Sequence, residues 1–309
     1  MDYKLSRSKP SEIGQFQVKP AEFLNYNKRV LEAFFSTDWF SKAVDVTHDA
    51  YVQWIVCNEL IMQNGHIHYP QQAWMLPILA RVGMDNFLLA QLTDGDTNRL
   101  VIGSLKYGNR KVRNKILTRF PDSNQFQDML VELEIGAWHL MNRDNVTPLE
   151  TLGFPDIKID LAGCSDVMYI ECKNLRSKDE RRIFDVVSKA NAQLEKTKSD
   201  SYGCLVLKVA QTTNTGATTE KPTPSEVLQV EKVIESLLSG GQNQAIGSAI
   251  IIWDGFEIIG SPPANVSICY SRKSIRVNHA NPNKVIPSTV KLFEAFTSFQ
   301  KILFKSLAR

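Results

Sequence analysis

Apolar residues recur at helical spacing through the first third of the chain and at strand spacing through its middle. In residues 20–64, Phe23, Val30 and Phe34, then Val52, Ile55, Val56 and Leu60, fall on helical faces. This periodicity predicts two or three packed helices, the last stopping near Gly65. A further apolar stretch from Trp74 to Leu92, broken by Pro77 and Gly83, runs into the turn-rich TDGDTN. Residues 1–120 therefore read as a mainly helical region.

From about residue 121 the period shortens. FQDMLVELEIGAWHLM (126–141) predicts one helix, and NVTPLE, PDIKIDL and VMYIECK predict three short strands in succession. RRIFDVVSKANAQLEKT (181–197) gathers Ile183, Val186, Val187, Ala190 and Leu194 on one side of a second helix. The strand GCLVLKVA follows, and its uninterrupted apolar centre implies burial on both faces. The order is helix, three strands, helix, strand. TTNTGATTEKPTPSE (212–226) reads as a mobile loop, followed by a helix over 226–238 and an apolar strand over 245–253. Leu292, Phe296, Phe299, Leu303 and Leu307 mark a C-terminal helix whose stripe serves core packing by default. The expected fold class is α/β, with residues 121–309 as a second domain.

Composition narrows the setting. The 309 residues suffice for two domains of ~150 residues. Hydrophobic content of 43% and charged content of 22% are those of an ordinary globular protein. No apolar run is long enough to span a bilayer, and MDYKLSRSKPSEIGQF lacks the apolar core of a secretory signal. The five cysteines form no C-x-x-C pair, so a reducing, cytoplasmic home with free thiols is expected. A net charge of +3 is too small to argue for nucleic acid by itself, but the cations cluster. SLKYGNRKVRNKILTRF (104–120) holds Lys106, Arg110, Lys111, Arg113, Lys115 and Arg119 with no acidic residue. Arg176, Lys178, Arg181 and Arg182 form a second group, and Arg272, Lys273 and Arg276 a third. His66 and His68 could share a strand face, but no third metal ligand stands near them.

The stretch FPDIKIDLAGCSDVMYIECKN (154–174) poses the chemical question. Alternation sets Asp156, Lys158 and Asp160 against Ile157, Ile159 and Leu161, and puts Glu171 and Lys173 on one face. Closing the hairpin near Gly163 and Cys164 brings Asp156 opposite Glu171 to within about one residue, with Asp160 nearer Val167. Like charges across a sheet are destabilising, so the pair calls for a cation, and Mg²⁺ suits carboxylate oxygens.

Pro155-Asp156 followed by Glu171-Cys172-Lys173, on a helix, three strands, helix, strand frame, resembles the PD-(D/E)xK nuclease superfamily with its restriction-endonuclease-like core. The segment 171–173 is the only E-x-K in the chain. The resemblance implies a mixed sheet flanked by helices and metal-dependent hydrolysis of phosphodiester bonds, in DNA ahead of RNA. It implies Asp156, Glu171 and the Cys172 backbone carbonyl as ligands of Mg²⁺ or Mn²⁺, and Lys173 as a stabiliser of negative charge. It also implies a glutamate on the preceding helix. Glu134, which interrupts the stripe of Leu130 and Ala137, is the expected residue, with Glu132 as the other candidate, while Asp160 is the reserve for Asp156. Gln193 and Lys189 answer to the supporting residues of the following helix. Arg110, Lys111, Arg113, Lys115, Arg176, Lys178, Arg181 and Arg182 become expected nucleic-acid contacts. No G-x-x-x-x-G-K-[ST] loop occurs, so a motor or sensor would be a separate partner protein. Enzymes of this superfamily that cut both strands pair two sites, which makes a homodimer an expectation. A defence or restriction role follows only by association with the superfamily. The rival expectations are an inactive nuclease-fold binding or scaffolding module and an RNA-cleaving toxin.

Overall fold

The computed structural model describes residues 11–12, most of 24–63, 74–75, 78, 123–141, 144–149, 153–163, 165–197, 202–209, 219–220, 223–259, 267–281 and 283. The elements in chain order are β1 (Ser11–Glu12), α1 (Thr37–Lys42), α2 (Asp49–Met62), α3 (Ser123–Met141), β2 (Asn145–Pro148), β3 (Ile157–Asp160) and β4 (Val167–Leu175). They continue with α4 (Glu180–Leu194), β5 (Tyr202–Val209), β6 (Thr219–Glu220), α5 (Pro224–Ser239), β7 (Ser248–Ile259) and β8 (Ser267–Asn278).

The strands form one mixed sheet in the order β1-β8-β7-β5-β4-β3-β2, with β6 added to β7. β4, β5 and β7 run parallel, while β2 with β3, β3 with β4, and β7 with β8 are antiparallel. The protein is thus an α/β structure whose mixed sheet is flanked by helices. Side-chain alternation along the strands makes two cores. Val131 and Ile135 of α3 pack on Ile157, Ile159, Met168, Ile170, Cys172, Cys204 and Val206. On the opposite face, Ile183, Val187, Ala190 and Leu194 of α4 and Val227, Val230, Ile234 and Leu238 of α5 cover Leu175, Leu205, Leu207 and Ile251. Each such aliphatic side chain contributes roughly 1.5–3 kcal/mol when fully buried. β5 is central and parallel, which explains its unbroken run of buried residues from Gly203 to Leu207.

Helix ends are set by local chemistry. Asp179 caps α4 by accepting the Arg182 N–H, and Thr223 and Glu226 form a reciprocal capping box at the start of α5. Among the described residues, no helix is long and apolar enough to cross a membrane.

Three features depart from the sequence reading. Part of the expected loop at 212–226 is strand, since Thr219 and Glu220 pair with Glu257 and Phe256. β7 runs six residues past the predicted end at Trp253 and turns back as β8, an element that its charged residues hid. Ser11 and Glu12 pair with Arg272 and Ser271, so the mainly helical N-terminal region also lends an edge strand to the sheet. In that region Leu24, Val56, Cys57, Leu60 and Met75 form a small core. It meets the sheet domain where Gln127 of α3 donates to Asp49 Oδ2 at 2.7 Å and the His48 and Phe126 rings lie 5.4 Å apart. The stripe at 292–307, the histidines at 66 and 68, and the basic run at 104–120 lie outside the described residues.

Candidate active site

The site begins where two strands part. The β3–β4 ladder ends at the pair Ile157–Ile170, yet β4 continues to Leu175, paired among the described residues with β5 alone. One step further along this register Asp156 stands opposite Glu171. Instead of extending the ladder, Asp156 Oδ2 accepts the Cys172 N–H at 2.8 Å, while the Asp156 carbonyl accepts the Leu149 N–H at 2.8 Å. A side-chain oxygen thus stands in for a strand carbonyl where the ladder ends. Gly153, with φ of 80°, turns the chain into Pro155 and Asp156.

Glu171 is fully buried, although it is a carboxylate. Lys173 Nζ donates to its Oε1, and its Oε2 is buried with no hydrogen-bond partner among the described residues. Burial, the Asp156 charge and, more weakly, Glu132 push the Glu171 carboxyl up to about 8 against the pull of Lys173. Lys173 moves upward too: burial disfavours its charge, but Glu171 and Asp156 outweigh burial and hold the proton on. The two shifts are one coupled equilibrium in which Glu171 loses its proton while Lys173 keeps its own.

Glu132, not Glu134, has a described side chain in this neighbourhood. It is only 7% exposed and shares its side of α3 with Met129, Ile135 and Gly136. That corrects the reading in which Glu132 faces elsewhere: the inward face of α3 is wider than the stripe of Leu130 and Ala137 implies. Its charge acts on Cys172 and Glu171. The side chain of Glu134 lies outside the described residues. Asp160 sits opposite Val167, as the hairpin register requires, and bonds Lys158 at 2.8 Å and Asn145 at 3.0 Å. Four residues of strand, ~13 Å, separate it from Asp156.

The supporting residues divide. Gln193 Nε2 donates to the Phe154 carbonyl at 3.0 Å and so ties α4 to the turn before Asp156. Lys189 is exposed on α4. Arg176 is tied to Asp128 at 2.9 Å and Lys178 to Glu226 at 2.7 Å, contacts that tie the segment between β4 and α4 to α3 and α5. Arg181 and Arg182 are exposed. The sequence reading missed the roles of Phe154 and Gly153, although the turn-forming Gly ahead of Phe-Pro-Asp was a signal for them.

Among the described residues, no group of three His, Cys, Asp or Glu side chains gathers as a ready-made cation cage. Mg²⁺ does not require one, because it is commonly held by one or two carboxylates and otherwise by waters and substrate phosphates. The unpartnered Glu171 Oε2 next to Asp156 fits that demand. Cys172 directs its N–H to Asp156, and in an extended strand its carbonyl points to the same open edge. Comparison with known protein families, curated proteins and solved structures returns no match.

Proposed function

We propose that the protein is a metal-dependent nuclease that hydrolyses phosphodiester bonds in DNA, with the restriction-endonuclease-like core that the Pro-Asp and Glu-x-Lys residues resemble. The observation that carries the reading is the buried Glu171, with one oxygen bound to Lys173 and the other unpartnered, opposite Asp156 where β3 and β4 part. Natural sheets do not bury such a group for stability, since an unpaired buried acceptor costs about 1–3 kcal/mol. Asp156, Glu171 and the Cys172 carbonyl would hold the cation. When bound, Mg²⁺ or Mn²⁺ supplies Lewis acidity toward phosphate oxygens and a more acidic water.

The chain's own residues do the rest. Asp156 fixes the divergence of the strands through Cys172. Lys173, kept protonated by its carboxylate neighbours, offsets charge that develops on the phosphate and orients the attacking water. Gln193 holds the Phe154–Asp156 turn in place. The binding-module alternative has one observation in its favour, namely that the Lys173 ammonium already occupies one Glu171 oxygen.

The deciding experiment offers supercoiled and linear DNA, single strands and RNA to the wild type and Lys173→Ala, each with Mg²⁺, Mn²⁺ or EDTA. The nuclease reading expects cutting that needs both the metal and Lys173, and cutting that persists in Lys173→Ala refutes it. Normal binding without cleavage favours the inactive module, and cleavage of RNA alone favours the toxin.

A further inference from the structure

We propose that Phe154 is a stacking platform for an unpaired base of single-stranded DNA, seating the adjoining phosphodiester at Asp156, Glu171 and Lys173. The inference names the substrate class of the site described above and rests on the nuclease reading.

Phe154 belongs to neither sheet core and is 37% exposed. A single exposed aromatic is ordinary on a protein surface, but this one is held in position. Gln193 fixes its carbonyl, and Lys196 Nζ lies 5.9 Å from the ring centroid. The same ammonium presses on the turn, for a Cβ on Gly153 would come within 2.6 Å of it. Phe154 is two residues from Asp156, at most roughly 7 Å along the chain, which is about the reach of one nucleotide.

The approach to Phe154 is cationic. Arg182 and Lys189 lie seven residues apart on one side of α4 and are exposed, and Lys196, exposed just past the end of the helix, stands beside the Phe154 ring. None of them forms an ion pair with a described carboxylate. Asp185 lies within the line, which still holds three cations to one carboxylate. A row of cations leading to an aromatic ring is the combination that tracks a phosphate backbone and stacks its bases. A paired base already has both faces stacked, so the ring selects an unpaired one.

The test is fluorescence anisotropy of the full chain in EDTA with a labelled DNA single strand, its duplex, and the RNA of the same sequence. The wild type is expected to bind the single strand more tightly than the duplex. Phe154→Ala should weaken single-strand binding by about 5- to 100-fold and barely change duplex binding, while Phe154→Trp retains it. Phe184, 42% exposed on the side of α4 opposite Gln193, supplies the control, and Phe184→Ala should bind like the wild type. If Phe154→Ala melts abnormally, Phe154→Leu, which keeps apolar bulk without the π-face, should show the same loss. Unchanged affinity in these variants, a duplex bound as tightly as the single strand, no binding, or binding confined to RNA overturns the proposal. Because the measurement needs neither metal nor Lys173, intact stacking with no cleavage would instead sink the hydrolytic reading alone.

Discussion

Replacing Glu171 by Gln should make the protein more stable and inactive. The unfolded chain releases the Glu171 proton near 4.5, whereas the folded site holds it to about 8. Between those values the folded state binds more protons, so this group's contribution is fully present below 4.5 and is lost as pH rises through about 8. At roughly 1.36 kcal/mol per pH unit, the loss reaches about 3 kcal/mol by pH 7 and about 4 kcal/mol by pH 8. The Lys173 ammonium, which loses its carboxylate partner in the variant, lowers these figures, and a gain of about 1–3 kcal/mol for Glu171→Gln at pH 8 is expected. At ~2–4 °C per kcal/mol for a domain of this size, Tm should rise by several degrees. Thermal melts of both proteins at several pH values isolate the coupled Glu171–Lys173 pair, because the titrations of groups that do not feel Glu171 cancel in the difference. The gap should close toward pH 5. Mg²⁺ should raise the wild-type Tm at pH 8 and leave the variant unchanged. A variant that melts no higher than the wild type at pH 8, with the same pH slope, would refute the reasoning.

Asp156→Ala removes the acceptor of the Cys172 N–H and should cost about 1–2 kcal/mol, whereas Asp156→Asn keeps a carbonyl oxygen there and should melt close to the wild type. Both should lose cleavage, and equal destabilisation by the two would show that the Cys172 bond is not what Asp156 contributes to the fold. Gly203→Ala should cost about 3 kcal/mol or more in urea unfolding, because the added Cβ would overlap the Ala245 carbonyl and crowd Leu194. A near-normal midpoint for Gly203→Ala would mean that β5 and the Ala245 segment can separate without loss.

Periodicity alone yielded the order α3, β2, β3, β4, α4, β5, because each element buries one face and repeats its apolar residues at 3.6 or 2.0 accordingly. The hairpin register was legible for the same reason: a slip of one residue would turn Ile157 and Ile159 away from α3, so their burial dictates that Asp160 meets Val167. β8 was not legible, because SRKSIRVN alternates charge with small and apolar residues and its pairing partner lies in β7. The sequence reading favoured Glu134, and the burial of Glu132 was not legible, since the width of the buried face of α3 depends on how far the sheet beneath it extends. The parting of β3 from β4 at Asp156, the burial of Glu171 and the bond from Gln193 of α4 to the Phe154 carbonyl belong to the tertiary structure alone. A ladder ends, a carboxylate loses its water and a turn is tied to a helix only when elements distant in sequence close around them, and no local period records that closure.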